Sequence, residues 1–288
     1  MTKALIQKTG TFLEMIKFSH TVFALPFALT GALLAAKGIP PLATIIWIIV
    51  AMVGARTSAM ALNRLIDADI DALNPRTESR AIPAGKLSKG FTFSIIIIST
   101  ALLLFAAAKL NPLCLKLSPL ALFFLVLYSY CKRFTALAHV VLGICLAAAP
   151  IGAWVAIRGV IEPAAIAIGA LVLFWVAGFD ILYALQDVDF DRSAGLHSIP
   201  VLFGVKGSLW IARVFHLIMV LLLIAIWKIV ELKFPFLLGI AITVTMLLYE
   251  HWLLRNGDLS KLDAAFFNMN GYISVTILFF TTVDILMG

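Results

Sequence analysis

The chain has 288 residues, 62% of them hydrophobic and 13% charged, and its mean hydropathy is +1.07. Soluble domains run at roughly 45–50% apolar and 25% charged residues, so a soluble enzyme is excluded and an integral membrane protein is indicated. The net charge of +7 reads as basic cytoplasmic loops in contact with anionic lipid, with no nucleic acid implied.

Residues 1–20 mix acid and amide groups with lysine and precede no cleavage-site pattern, which predicts a cytoplasmic lead-in helix. Lys17, Ser19 and His20 open the first apolar run as polar candidates. Apolar stretches separated by Gly, Pro or charge then predict about nine spans. They run Thr21–Ala36, Thr44–Leu62, Phe91–Ala108, Leu120–Tyr130, Val140–Ile157, Ala164–Leu185, Leu209–Trp227, Phe236–Leu254 and Phe267–Leu286. The fourth is the weakest, being short and ending at once in Cys131-Lys132-Arg133. Cys114, Cys131 and Cys145 lie in or beside these segments without metal or disulfide spacing. Alternate loops of a nine-span chain carry 14 and 6 Lys or Arg, with Arg56 and Arg213 inside spans. The richer side is expected to be cytoplasmic.

The second span ends in NRLIDADIDALNPRTESRAIPAG. Asn63, Asp67 and Asp71 fall at i, i+4 and i+8, so a continuous helix would put them on one face, about 6 Å apart along the axis. A second ladder, Tyr183, Asp187 and Asp191 in YALQDVDFD, repeats the spacing and even the middle Asp (Asp69, Asp189). Six of the ten aspartates of the chain lie in these two clusters, on the same predicted side. After each comes an Ile-Pro followed by Gly and Lys (SRAIPAGKLS and HSIPVLFGVKGS), a weak internal repeat that predicts one domain of two related halves. Opposed carboxylate pairs suit Mg²⁺, which completes its shell with water and substrate phosphate. Arg76, Arg80, Lys132, Arg133 and Arg192 stand around them, and guanidinium forks bind phosphate well.

Arg56 lies inside the second span, seven residues before Asn63 and on nearly the same face. Intramembrane charge usually marks function; Arg56 either pairs structurally or holds an anionic group deeper than the metal. Tyr128 sits one turn before Lys132. Arg213 is close enough to a helix end to snorkel, and Asn268 and Asn270 read as caps or interhelical hydrogen bonds. A tunnel lined by Phe and Leu would suit an isoprenoid tail.

NRLIDADID resembles the NxxxDxxxD motif of the UbiA superfamily of intramembrane aromatic prenyltransferases, and YALQDVDFD its second DxxxD motif. The flanks RTESRAIPAG, YSYCKRFT and GLHSIPVLFG are similar too, so the resemblance covers most of the chain. It is nearest to 4-hydroxybenzoate polyprenyltransferase-like members, including those of the futalosine route to menaquinone. The resemblance implies an all-α bundle of nine transmembrane helices with a cytoplasmic cap and a lateral opening to lipid. It implies an enzyme of the cytoplasmic (inner) membrane that moves a polyprenyl group from polyprenyl diphosphate to an aromatic acid in quinone biosynthesis. The acceptor is 4-hydroxybenzoate-like or, on the menaquinone route, a dihydroxynaphthoate. Asp67, Asp71, Asp187 and Asp191 would be the Mg²⁺ ligands and catalytic carboxylates. Asn63 would join them in binding diphosphate through the metal, and Arg76 and Lys132 would contact the diphosphate directly. Arg80, Tyr128 and Tyr183 are further substrate-binding candidates, and Arg56 is expected to orient the acceptor's carboxylate. Arg64 departs from the family, where Asp often follows the Asn. A cation-coupled transporter is the reading of another class that membrane carboxylates and a repeat admit. Against it, both ladders lie near one face, and no matched broken spans occur at mid-membrane.

Overall fold

The structure, a computed structural model, describes residues 10–12, 24–255 and 269–287. Lys17, Ser19, His20 and Asn268 lie outside them. Every regular element among the described residues is helical. In chain order these are α1 (Ala24–Ala36), α2 (Leu42–Ile66), the one-turn α3 (Ala68–Asp71), α4 (Lys89–Leu110), α5 (Pro112–Cys131), α6 (Ala138–Arg158) and α7 (Pro163–Ala184). A 3₁₀ turn (Leu185–Asp187) leads to α8 (Val188–Ser193), followed by α9 (Ile199–Ile229), α10 (Phe234–Leu253) and α11 (Asn270–Leu286). Seven of these segments are long and apolar enough to cross a membrane, α7 running on through α8, and α1 and α11 are shorter apolar helices.

The fourth span departs from the expected boundaries, because α5 begins eight residues before Leu120. Pro112, Lys116 and Pro119 look like punctuation in the sequence. Pro112, however, occupies the first helical turn, where a missing N–H costs nothing, and the Asn111 side chain caps the helix by accepting from Cys114 N at 2.9 Å. Lys116 is exposed. The seventh span also starts early, since Ser198 caps α9 ahead of a sharp bend at Gly204, whose φ is +65°.

Around α7 the bundle is tightest: α6 packs along one side of it and α9 along another, while α1 lies across α6 and α2 pairs with α4. Trp175 of α7 is fully buried, with ring centres 4.8 Å from Phe27 and 5.1 Å from Phe179, and its indole N–H donates to Asn270 Oδ1 at 2.8 Å. The expected interhelical role of Asn270 is therefore present. Outward-facing Ile97, Ile98, Phe105, Trp210, Leu221 and Phe279 are exposed, as a lipid-facing surface requires.

Where helices touch, lipid supplies no hydrophobic drive and close backbone approach takes over. A Cβ added at Gly143 of α6 would lie 2.5 Å from Leu173 O of α7, and one at Gly31 of α1 would lie 2.6 Å from Pro150 O of α6. The obstacle in both cases is backbone, which cannot swing aside. Gly143→Val is expected to destabilise the protein by about 1–3 kcal/mol, read as a lowered thermal midpoint in detergent. An unchanged midpoint would show that α6 and α7 are not held at this distance.

Candidate active site

The two ladders do not lie on continuous helices. The span α2 ends at Asp67 (φ −90°, ψ 4°) and the chain re-enters helix as α3, while α7 gives way to the 3₁₀ turn that ends at Asp187 (φ −104°, ψ 5°) before α8. The second rung of each ladder, Asp67 in one and Asp187 in the other, thus sits at the same kind of break, in the sparsely populated bridge region. The i to i+4 backbone bonds survive the first break, from Asp67 N to Asn63 O at 2.9 Å and from Asp71 N to Asp67 O at 2.7 Å. The shared face is therefore kept.

Each of the four ladder carboxylates is met by a cation. The fork of Arg76 grips Asp187 through Nε to Oδ1 at 2.8 Å and a second terminal N–H to Oδ2, and Asn74 Nδ2 donates to the same Oδ1 at 3.2 Å. Asn74 also accepts from Arg76 N at 2.9 Å, which shapes the turn that delivers the arginine. Arg80 donates to Asp71 Oδ1 at 2.6 Å, Arg133 to Asp67 Oδ1 at 3.0 Å, and Lys132 to Asp191 Oδ2 at 3.4 Å. Adjacent residues at the end of α5 therefore serve opposite ladders. Asn63 donates to Asp67 Oδ2 at 2.7 Å, and Tyr183 accepts from Arg76 at 3.4 Å with its ring beneath the guanidinium. Burial lifts the Asp67 carboxyl above its ordinary pKa, with Asp71 adding to the lift and Arg133 and Lys132 pulling against it. For Arg76 burial acts downward, and the hydrogen bonds and charge of Asp187 override it, so its pKa is raised.

Apart from Arg133, which braces Asp67 from outside, these groups ring the polar end of a cavity of about 960 Å³. Arg56 and Tyr128 line it further in. Alanine and leucine are the commonest wall residues, with Phe124, Phe179 and Phe190 as the phenylalanines; of the Phe and Leu expected to line the tunnel, leucine is well represented and alanine largely stands where phenylalanine was expected. Asp69 and Asp189 are exposed and outside it, and Asp69 pairs with exposed Lys89 at 3.0 Å. Arg64, buried, lines the cavity and reaches Asn63 Oδ1 at 3.4 Å. Sequence reasoning passed over Asn74, whose one signal is the Asn-Pro turn before Arg76. It also left out of the site Asp180 and His139, which line the same cavity.

Among the described residues no three His, Cys, Asp or Glu converge as a ready-made metal cage. The donor set nevertheless fits a hard dication. Four acceptor-only carboxylates surround one space, and Asp71 Oδ2 is buried without a hydrogen-bond partner, a lone pair that only a cation or a mobile donor would satisfy.

The UbiA prenyltransferase family model matches residues 24–272. The chain belongs to that family. Among its relatives, a 4-hydroxybenzoate octaprenyltransferase from Francisella tularensis subsp. novicida (strain U112) is 28% identical over 256 residues, covering 89% of each chain. A solved apo UbiA homolog from Aeropyrum pernix K1 is 35% identical with a TM-score of 0.85, covering 92% of this chain and 98% of its own. A UbiA homolog from Archaeoglobus fulgidus, solved bound to DMAPP and Mg²⁺, is 23% identical with a TM-score of 0.71, covering 96% of this chain and 100% of its own, and shares the fold. The chain is thus a membrane-embedded UbiA-family prenyltransferase, as its two aspartate ladders led us to expect.

Arg133 also donates to Ile66 O at 2.9 Å, the carbonyl at the end of α2, and to Ser129 O at 2.8 Å. Arg133→Met is therefore expected to cost about 2 kcal/mol or more, because it strands a carbonyl and a mostly buried carboxylate. Without Arg133 the folded-state pKa of Asp67 rises further above its unfolded value. A raised carboxyl stabilises the fold below the unfolded pKa and loses that contribution as pH rises. The deficit should therefore widen from about pH 4 through the raised pKa, measured as thermal midpoints against pH; a pH-independent deficit would contradict it.

Proposed function

We propose that this chain transfers a polyprenyl group from polyprenyl diphosphate to an aromatic carboxylic acid of the 4-hydroxybenzoate type, for respiratory quinone biosynthesis. It works in the cytoplasmic (inner) membrane with the polar mouth toward the cytoplasm. The observation that carries this reading is the joining of a mouth of four carboxylates and as many paired cations to a long apolar cavity. It is supported by the names of the relatives, by the Archaeoglobus homolog's bound DMAPP and Mg²⁺, and by the excess of cationic loop residues on the ladder side. Family membership sets the transporter reading aside.

In this assignment Asp67, Asp71, Asp187 and Asp191 hold Mg²⁺, which when bound neutralises charge on the diphosphate as a Lewis acid. The chain's own cations do the rest at the mouth. Arg76, Arg80 and Lys132 exchange their carboxylate partners for diphosphate oxygens and stabilise the charge that grows as the allylic C–O bond breaks. Asn63 and Tyr183 orient those groups through the contacts already described. The alanine and leucine wall excludes water from the prenyl cation, and Arg56, inside the second span, holds the acceptor's carboxylate, with Tyr128 on the wall beside it. The ring carbon next to the acceptor's hydroxyl then attacks C1 of the prenyl chain.

Purified protein with Mg²⁺ and radiolabelled polyprenyl diphosphate should prenylate 4-hydroxybenzoate. Asp67→Ala and Asp187→Ala should each lower turnover by about 100-fold or more, about 2.7 kcal/mol of transition-state stabilisation, and EDTA should abolish it. Product from a dihydroxynaphthoate alone would move the chain to the menaquinone acceptor. Full turnover in both variants would sink the metal assignment.

A further inference from the structure

Below the mouth, the same cavity holds a second constellation. Asp180 precedes Tyr183 by three residues and Asp187 by seven on α7, placing it on the ladder face and about 10 Å deeper. Its Oδ2 lies 2.7 Å from Nδ1 of His139, the second residue of α6. A carboxylate only accepts, so Nδ1 donates. His139 is 1% exposed and its Nε2 is buried without a hydrogen-bond partner, so Asp180 is the side-chain group to which this imidazole is committed. Asp180 itself remains 18% accessible, and its Oδ1 takes no hydrogen bond among the described residues. The result is a carboxylate gripped from behind and open toward the cavity.

Two bland roles fit less well. A packing pair would bury both members, and a third diphosphate or metal ligand would stand at the mouth, where the cations are. Arg56 lies seven residues before Asn63 on α2 and Asp180 three before Tyr183 on α7, so in ladder register Arg56 stands one turn, about 6 Å, deeper. The cavity therefore presents one cation and one carboxylate at staggered depths from two helices. A hydroxylated aromatic acid carries the complement: an anionic carboxylate at one position of its ring and a weakly acidic hydroxyl at another.

We propose that Asp180 is a catalytic residue that takes the proton of the acceptor's ring hydroxyl, with His139 as its positioning residue; this rests on the acceptor being a phenolic acid, as argued above. The O–H proton passes to Asp180, and the phenoxide's electrons flow through the ring to form the new bond from the adjacent carbon to C1 of the prenyl group. The C1–O bond breaks and its pair leaves with diphosphate. The ring C–H proton of the resulting dienone then departs to the released diphosphate, and Asp180 returns its own proton to the oxygen. Asp180 ends unchanged, and one proton accompanies diphosphate. Of the titratable and charged groups here, His139 of α6 bonds Asp180 and Tyr128 of α5 interacts with it, while Asp67, Cys145 and Arg64 stand around that phenol; Tyr183, one turn on along α7, and Arg56 of α2 line the same cavity. His216 of α9 packs behind α7, against Gly178.

The test compares wild type, Asp180→Asn, His139→Gln and His139→Ala as purified protein in detergent with Mg²⁺, polyprenyl diphosphate and 4-hydroxybenzoate. Asp180→Asn should lose about 100-fold in kcat/KM for the acceptor, while polyprenyl diphosphate affinity and its slow hydrolysis without acceptor stay within about threefold of wild type. Its remaining activity should climb about tenfold per pH unit between roughly pH 7 and 9, where solution base ionises the hydroxyl instead, against a flatter wild-type profile. His139→Gln, which keeps an N–H donor, should retain most activity, and His139→Ala should fall in kcat and acquire the steeper pH profile. Asp180→Asn with wild-type kcat/KM and profile would overturn the proposal, as would its loss of diphosphate affinity in parallel with transfer. A wild-type enzyme that binds and hydrolyses the diphosphate yet prenylates no phenolic acid would instead overturn the acceptor reading on which this one rests.

Discussion

Everything at the polar end of the bundle depends on one electrostatic constraint: four carboxylates sit mostly buried at the end of an apolar cavity, and none can stay ionised there without a partner. The partners come from elsewhere in the chain. Arg76, beyond the first ladder, holds Asp187 of the second, and Lys132 and Arg133 at the end of α5 hold Asp191 and Asp67. These pairings tie α2, α5, α7 and the loop after α3 together at one end, while the close backbone contacts at Gly31 and Gly143 set the spacing lower down. The mouth is therefore assembled by charge and the wall by shape.

Such pairing also compensates each carboxylate of the mouth while no substrate is bound. Truncating one member of a buried pair leaves the other uncompensated, whereas exchanging one anion for another around the same cation need not. In the function proposed above, a diphosphate brought to Arg76, Arg80 and Lys132 would make that kind of exchange, and the carboxylates it releases would be free for a dication arriving with it.

Much of this was legible in the sequence, for reasons that name its limits. Asn63, Asp67, Asp71, Tyr183, Asp187 and Asp191 were readable because polar residues at i, i+4 and i+8 beside an apolar run have few other reasons to exist. The breaks at Asp67 and Asp187 were not, since no Gly or Pro marks them; they follow from how the short segments after each span are tied down. The start of α5 was hidden because Pro112 ends a helix in one context and begins it in another. Asp180 and His139 lie 41 residues apart and have no shared motif. Asp180 looks like one polar residue in an apolar span until α6 brings an imidazole to it.

The two breaks divide the carboxylates by what carries them. Asp67 and Asp187 stand at the ends of long spans, so the gap between them is set by how the bundle packs. Asp71 and Asp191 ride on α3 and α8, of four and six residues, far too short to be rigid by themselves and each hung from its span by a single bridge-region residue. The inner gap therefore answers to helix packing, and the outer one to the tethers that hold α3 and α8 down: Arg80 on Asp71, Thr77 on the Asp71 carbonyl and Lys132 on Asp191.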